Sequence, residues 1–198
     1  MAEMTAALSN GRLAAPSPEL LARFGALAEA EGLIDVAYTT YDAPFGLLVL
    51  GGTSNGLVRL AFDPLETVVD DLSERISPRV LAAPGRFDGV RRQLDEYFAG
   101  SRRHFDVAID LRLAGSAFRR AVLAAADAIP YGQVRSYGEV ARSAGSPAAV
   151  RAVGSALGAN PVCVVVPCHR VLRSDGSISG YAGGPERKDF LLRLEGSR

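Results

Sequence analysis

The chain has 198 residues, 48% of them apolar, and no apolar run approaches the length that spans a bilayer, so it has the makeup of a globular protein with one large core or two smaller ones. Its first 16 residues lack the basic start, apolar middle and cleavage site of a signal peptide, and two cysteines are too few for a secreted disulfide scaffold, so a cytoplasmic protein with no membrane association is expected. The net charge of zero hides a split: residues 1–110 carry 10 Arg against 16 Asp and Glu, whereas residues 111–198 carry 12 Arg and Lys against 6, which fits either a basic half that meets a polyanion or two solvated halves that attract each other.

Ser17-Pro18-Glu19 is a helix start, and residues 17–32 place Leu20, Leu21, Phe24 and Leu27 on one apolar helical face. Ile34–Tyr41, Gly46–Gly51 and Leu57–Phe62 read as strands, joined as hairpins by the turn-rich pieces 42–46 and 52–56. Leu65–Ile76 and Phe87–Phe98 have helical periodicity, and Phe105–Leu111 reads as one more strand. These elements describe an α+β unit with a largely antiparallel sheet.

From Ser116 the pattern changes to short helices. Ser116–Ile129 is the first, stopped by Pro130-Tyr131-Gly132. Ser136-Tyr137-Gly138-Glu139 has capping-box spacing and opens the next, which ends at Ala144-Gly145. A third is expected from Pro147 to Leu157, with Ser146 as its cap and Pro147 in its first turn. Two short helices about a tight glycine turn outline a helix-turn-helix. Ala148, Ala149, Ala152, Gly154, Ser155 and Ala156 give the second of them a surface of small residues, with Arg151 as its one long cation. Such a helix fits a narrow DNA groove with one side chain reaching inward; it equally fits tight packing against neighbouring helices.

Chemistry concentrates in Asn160-Pro-Val-Cys-Val-Val-Val-Pro-Cys-His-Arg-Val171. Val164–Val166 is β-prone and apolar, and Pro167 ends any ladder just before Cys168 and His169. A thiol attacks only as thiolate, so Cys168 needs a base or a cation beside it. His169 can serve only if the chain turns at that point, or through a water, because neighbours in a strand face opposite ways. On its own the Cys-His pair is weak evidence, since most buried cysteines are inert. Cys163, Cys168, His104 and His169 match no familiar zinc spacing, so no metal is expected.

The longer pattern is specific. Pro167-Cys168-His169-Arg170-Val171 resembles the active-site signature of the O6-alkylguanine-DNA alkyltransferases, the methylated-DNA–protein-cysteine methyltransferases. Ile129-Pro-Tyr-Gly132, Ser136-Tyr137, Arg151-Ala-Val-Gly154, Asn160-Pro161, Gly180-Tyr-Ala-Gly-Gly184 and Leu191-Leu192-x-x-Glu195-Gly196 follow in that family's order. The resemblance is close over residues 115–196; in the N-terminal half it is loose, resting on the strand pattern and Glu96-Tyr97-Phe98-Ala99-Gly100.

The resemblance implies an N-terminal ribonuclease-H-like antiparallel sheet with helices and a mainly helical, winged-helix-like C-terminal domain with a helix-turn-helix. The corresponding division is a helical extension over 1–33, a supporting α/β domain over 34–111 and a DNA-binding and catalytic domain over 115–198. It implies single-turnover transfer of an alkyl group from O6-alkylguanine in flipped-out duplex DNA to Cys168, with O4-alkylthymine an open second substrate and no cofactor.

The implied roles follow position by position. Cys168 is the acceptor, His169 its base, Glu195 the group that orients His169, Asn160 the tie of the active-site turn and Tyr137 the acid to guanine N3. Arg151 fills the stack while Ser136, Ala148, Ala149 and Gly154 meet DNA in the minor groove. Tyr181 covers the flipped base, and backbone groups near Val171 and Ala182 read its edge. Cys163 stands where the family often has a proline or small residue lining the alkyl pocket, and Leu123 where it commonly has Trp. The protein is expected to be monomeric, with clustering along DNA left open. Two rivals remain: an alkyltransferase-like binder, against which Cys168 itself argues because those proteins replace the acceptor, and a Cys–His–Glu hydrolase unrelated to DNA.

Overall fold

A computed structural model describes residues 17–198; the expected extension 1–33 therefore lies partly outside the described residues. The elements run in chain order as α1 (Pro18–Ala30), β1 (Val36–Ala43), β2 (Gly46–Thr53), β3 (Gly56–Ala61), α2 (Leu65–Arg75), β4 (Val80–Ala82) and α3 (Asp88–Phe98). The second half holds α4 (Ala117–Asp127), β5 (Arg135–Ser136), α5 (Tyr137–Ser143), α6 (Val150–Gly158), β6 (Val171–Leu172) and α7 (Pro185–Leu194).

The first sheet has the order β3-β2-β1-β4; its two hairpins are antiparallel, and β4, which sequence patterning missed, pairs parallel with β1. At three residues, β4 is too short to show a period. Side chains alternate between two cores, as the pleat requires, except where a register shift between Leu57 and Arg59 breaks the alternation in β3. Val36, Val49, Val58 and Ala61 meet Val68 and Leu72 of α2 on one face. Ala37, Leu48, Leu50, Leu57 and Leu60 face Leu94 and Tyr97 of α3 on the other, and that core continues into the second half of the chain.

Three expectations are corrected. Residues 105–111 do not form a strand: only Ile109 bridges β3, through Leu57. The side chain of Gln93 takes both backbone groups of Asp106, at 2.9 and 2.8 Å, so at that residue the hydrogen bonds a longer ladder would use are already spent. Gly56 opens β3 at φ +131, where a Cβ would fall 2.2 Å from the Ala108 carbonyl oxygen, so only glycine lets this segment lie so close.

Three residues of the apolar face of α1 do not turn inward. Gly25 and Ala28 seat the helix on β4, with room at Gly25 for no Cβ against the Ala82 carbonyl, and Glu29 pairs with Arg86 at 2.6 Å. Leu20, Phe24 and Leu27 are left exposed. Thirdly, the helix expected from Pro147 begins at Val150: the Ala149 N–H closes a turn onto the Ser146 carbonyl, with Pro147 and Ala148 at its corners.

The other expectations in the second half hold locally. Ser116 caps α4 by accepting from the Arg119 N–H at 3.2 Å. The box at Ser136 is complete, its oxygen accepting from the Glu139 N–H while Glu139 accepts from the Ser136 N–H at 2.7 Å. Gly145, at φ +71, ends α5, and the Ser146 N–H returns to the Ala141 carbonyl. Helices α4, α5 and α6 pack on one another, and β5 and β6 pair in parallel beside them.

Candidate active site

The stretch that patterning reads as β-prone is a tight turn. Val164 adopts φ +70, a left-handed conformation a β-branched residue rarely takes, and Cys163 bridges Val166 across the turn. Asn160 over-determines this conformation. Its amide Nδ2 donates to the Val166 carbonyl at 2.9 Å and lies 3.1 Å from Cys168 Sγ, while its Oδ1 accepts from the Val162 N–H at 3.0 Å. From the other half of the chain, Leu60 of β3 exchanges backbone bonds with Pro161 and Cys163.

Pro167 then leads into a single 3-10 turn, Cys168–Arg170, which supplies the change of direction that a Cys-His pair needs. Both cysteines are free and buried. The largest influence on Cys168 is a hydrogen bond from the Cys163 thiol, which lowers its pKa; Asn160 and the Lys188 ammonium act in the same sense, against burial. Cys163 moves the opposite way, pushed well up by that same bond and by burial, so it remains a thiol. Its sulfur also lies 3.5 Å from the Asn160 carbonyl oxygen.

His169 is fully buried, and burial lowers its pKa despite the opposing pull of Glu195, leaving the imidazole neutral at pH 7. Its Nε2 lies 2.9 Å from Glu195 Oε1. That carboxylate stands at the end of α7 and is saturated with donors: Tyr97 Oη at 2.6 Å, Arg170 Nε at 2.8 Å and Nη2 at 2.9 Å, and the Gly132 N–H at 3.4 Å. Burial works to raise the Glu195 carboxyl, but His169, Arg170 and Tyr97 overcome it and hold it at about 2. An ionised Glu195 only accepts, so Nε2 carries the proton of the neutral ring and Nδ1 is the free base. Nδ1 is buried and has no hydrogen-bond partner among the described residues.

Tyr137 is the first residue of α5, and Gly154 of α6 lies against its ring. Its hydroxyl lies 2.5 Å from Ser179 Oγ. Tyr181 packs its ring on Phe62, with centroids 5.6 Å apart, and its buried hydroxyl has no partner among the described residues. A cleft of about 300 Å3 between the two halves is lined by Arg59, Phe62, Asn160, Cys163 and Ala182. Val171 is not presented to it: its side chain is buried, its carbonyl accepts from Lys188 Nζ and its N–H bonds the Cys168 carbonyl.

Ser136 is part-buried in its box. Ala148 and Arg151 are exposed on the helix-turn-helix with Val150, Ala152 and Ser155, and Ala149 is half-buried there. Arg151 makes no ion pair among the described residues. Cys168, His169, Glu195 and Asn160 thus form one buried cluster, whereas Arg151 stands apart on the surface.

Sequence reasoning assigned no role to Arg170, Tyr97, Ser179 or Lys188. Arg170 and Tyr97 lay inside the quoted motifs, and Lys188 is the chain's single lysine, so a signal existed for those three. Ser179 had none.

Comparison with known proteins agrees with this geometry. The family model for the ribonuclease-like domain of 6-O-methylguanine DNA methyltransferase matches residues 36–111, and that for its DNA-binding domain matches residues 117–197. The chain is 46% identical over 160 residues to a methylated-DNA–protein-cysteine methyltransferase of Mycolicibacterium paratuberculosis, covering 81% of this chain and 92% of the relative. It is 39% identical to one from Methanosarcina acetivorans, covering 81% and 98%. The Mycobacterium tuberculosis O6-methylguanine methyltransferase structure superposes with a TM-score of 0.70 at 43% identity, covering 82% of this chain and 94% of that one. A complex of the Mycobacterium tuberculosis protein with DNA gives a TM-score of 0.70 at 44% identity, covering 81% and 93%. With both of its halves matched in order, the chain belongs to the 6-O-methylguanine DNA methyltransferase family.

Proposed function

We propose that this protein repairs alkylated duplex DNA by moving the alkyl group of O6-alkylguanine onto Cys168, once per molecule. The observation that carries the reading is the acceptor's setting: a thiol of lowered pKa beside a neutral His169 whose free Nδ1 is set by an ionised Glu195. Nδ1 takes the Cys168 proton through a bridging water, and Glu195 steadies the imidazolium that forms. The thiolate attacks the alkyl carbon in line, the C–O6 bond breaks and its electron pair goes to the guanine. Tyr137 gives a proton to N3 of the departing ring. A thioether does not hydrolyse under these conditions, so the protein is consumed; the reaction draws on no cofactor.

Reaching the alkyl carbon requires the nucleotide to leave the stack, which costs a few kcal/mol. In this reading Arg151 fills the gap and offsets part of that cost by stacking, and the small, exposed face of α6 with the turn Ser146–Ala149 lies along the minor groove. Residues 115–198 bind DNA and react, residues 34–111 support them, and the monomer works in the cytoplasm. Among the described residues no helix is long and apolar enough to cross a membrane.

The test is intact mass after incubation with duplex DNA carrying O6-methylguanine. One added methyl at Cys168, capped at one per molecule and absent in Cys168→Ser, is expected. Multiple turnovers, or DNA binding with no transfer, would sink the proposal. Cys163, held as thiol, stays unmodified in the same experiment.

A further inference from the structure

Lys188 is an anomaly. Its side chain is buried in α7 with 1% of the residue exposed, yet among the described residues it has no carboxylate partner. A buried, unpaired ammonium is costly, and here burial lowers its pKa to about 8. Its hydrogen-bond partners are the Val171 carbonyl at 2.5 Å and Ser179 Oγ at 3.3 Å. The titratable groups that face it are Cys168 and His169 from the 3-10 turn and, through Ser179, Tyr137 from α5.

We propose that Ser179 is a positioning residue for the leaving-group acid, its hydroxyl coupling the buried ammonium of Lys188 to the phenol of Tyr137. The inference rests on the reading of Tyr137 as the proton donor to the departing base. Donor arithmetic sets the direction. An ammonium cannot accept, so Ser179 Oγ accepts from Lys188 Nζ. When Tyr137 turns its own O–H to the base, the Ser179 hydrogen is left to donate to Tyr137 Oη. All three donors then point in series at the leaving guanine. As the C–O6 bond breaks, the Tyr137 proton passes to N3, the Ser179 proton to Tyr137 and a Lys188 proton to Ser179. Lys188 ends neutral and recovers a proton from solvent, and no tyrosinate is left in the site.

The test compares two benzyl donors that form the same bond to Cys168. O6-benzylguanine leaves as a base that needs a proton, whereas benzyl chloride leaves as chloride, which needs none. Rates at the Cys168 peptide are measured for the wild type, Ser179→Ala and Ser179→Thr. Ser179→Ala is expected to slow benzylguanine transfer about tenfold, less than the roughly 10²- to 10⁴-fold a general acid itself contributes, because Tyr137 is still in place. It leaves the benzyl chloride rate within twofold, and Ser179→Thr restores the loss. In the wild type, the ratio of the two rates falls as pH rises through about 8, where Lys188 loses its proton, and in Ser179→Ala that fall disappears. Equal slowing with both donors, slowing with neither, or a flat ratio in the wild type would overturn the coupling. A wild type that reacts with benzyl chloride but never with O6-benzylguanine or alkylated DNA would overturn the alkyltransferase reading itself.

Discussion

Replacing Glu195 by Gln tests the site where it is most heavily built. The carboxylate accepts from His169, Tyr97, two nitrogens of Arg170 and the Gly132 N–H, and its side chain is fully buried. Gln keeps the shape but removes the charge and turns an NH2 donor toward groups that are themselves donors. Arg170, with only 8% of its side chain exposed, would keep the Ile129 carbonyl and one bond to the Gln amide oxygen, but no anionic partner and an amide NH2 facing its other nitrogen. Breaking a buried ion pair from one side costs about 3–5 kcal/mol. For a domain of this size, with a urea slope of about 2 kcal/mol/M, the midpoint should fall by about 2 M. Transfer from O6-benzylguanine should slow by about 10²- to 10⁴-fold, because neither the tautomer of His169 nor its imidazolium is then supported.

The pH dependence supplies an independent sign. Glu195 titrates at about 2 in the fold against 4.5 for the free group, so its contribution is full above 4.5 and is lost as pH falls toward 2. That window is worth about 3 kcal/mol. Glu195→Gln should therefore lose this part of the acid limb as well as stability at pH 7. A midpoint shift below about 0.5 M, which is about 1 kcal/mol at that slope, together with a rate within twofold of wild type would refute the reasoning.

Two further outcomes follow from the same geometry. Asn160→Ala removes three buried contacts from a turn that holds Val164 at positive φ, so it should cost about 2–4 kcal/mol by denaturant titration and slow alkyl transfer as Cys168 loses its donor. Arg151→Ala touches an exposed side chain with no ion partner among the described residues; stability should change by less than about 0.5 kcal/mol, while repair of duplex DNA weakens far more than reaction with free O6-benzylguanine. Equal losses on the two substrates would remove Arg151 from the flipping role.

What was legible in the sequence had local causes. The caps at Ser116 and Ser136, the glycine stop at Gly145 and the two hairpins each depend on residues within a few positions of one another, and each is in place. Failures came where a distant group decided the outcome. Segment 105–111 looked like a strand, but the Gln93 side chain takes the backbone bonds of Asp106, and α1 shows an apolar face whose Leu20, Phe24 and Leu27 are left exposed while Gly25 and Ala28 make its contact. Val164–Val166 carries strong β preference, yet Asn160 and the Leu60 backbone fold it into a turn. Site residues carried by a motif were readable in order, but the saturation of Glu195 and the link through Ser179 join residues too far apart in sequence for any spacing rule.

On the proposed reading the N-terminal half bears on the chemistry as well as on the packing, and Tyr97 provides the means to separate the two. It reaches from α3 across 98 positions of sequence to donate to Glu195 at 2.6 Å, while Leu60 of the same half pins the active-site turn through its backbone. Tyr97→Phe keeps the ring, its packing on Phe98, Phe105 and Tyr131, and the ion pair between Glu195 and Arg170. Only one charge-assisted hydrogen bond is removed, worth about 1.5–3 kcal/mol. With one donor fewer, the Glu195 carboxyl rises from about 2 but stays below 4.5, because His169 and Arg170 still hold it. Acid unfolding should then begin at higher pH than in the wild type, opposite in kind to Glu195→Gln, where that titration is absent. Alkyl transfer should fall only severalfold, since the imidazole keeps its carboxylate. If Tyr97→Phe were as slow as Glu195→Gln, the phenol and not the carboxylate would be what orients His169. If it cost no stability and left the acid limb in place, the supporting half would contribute packing alone.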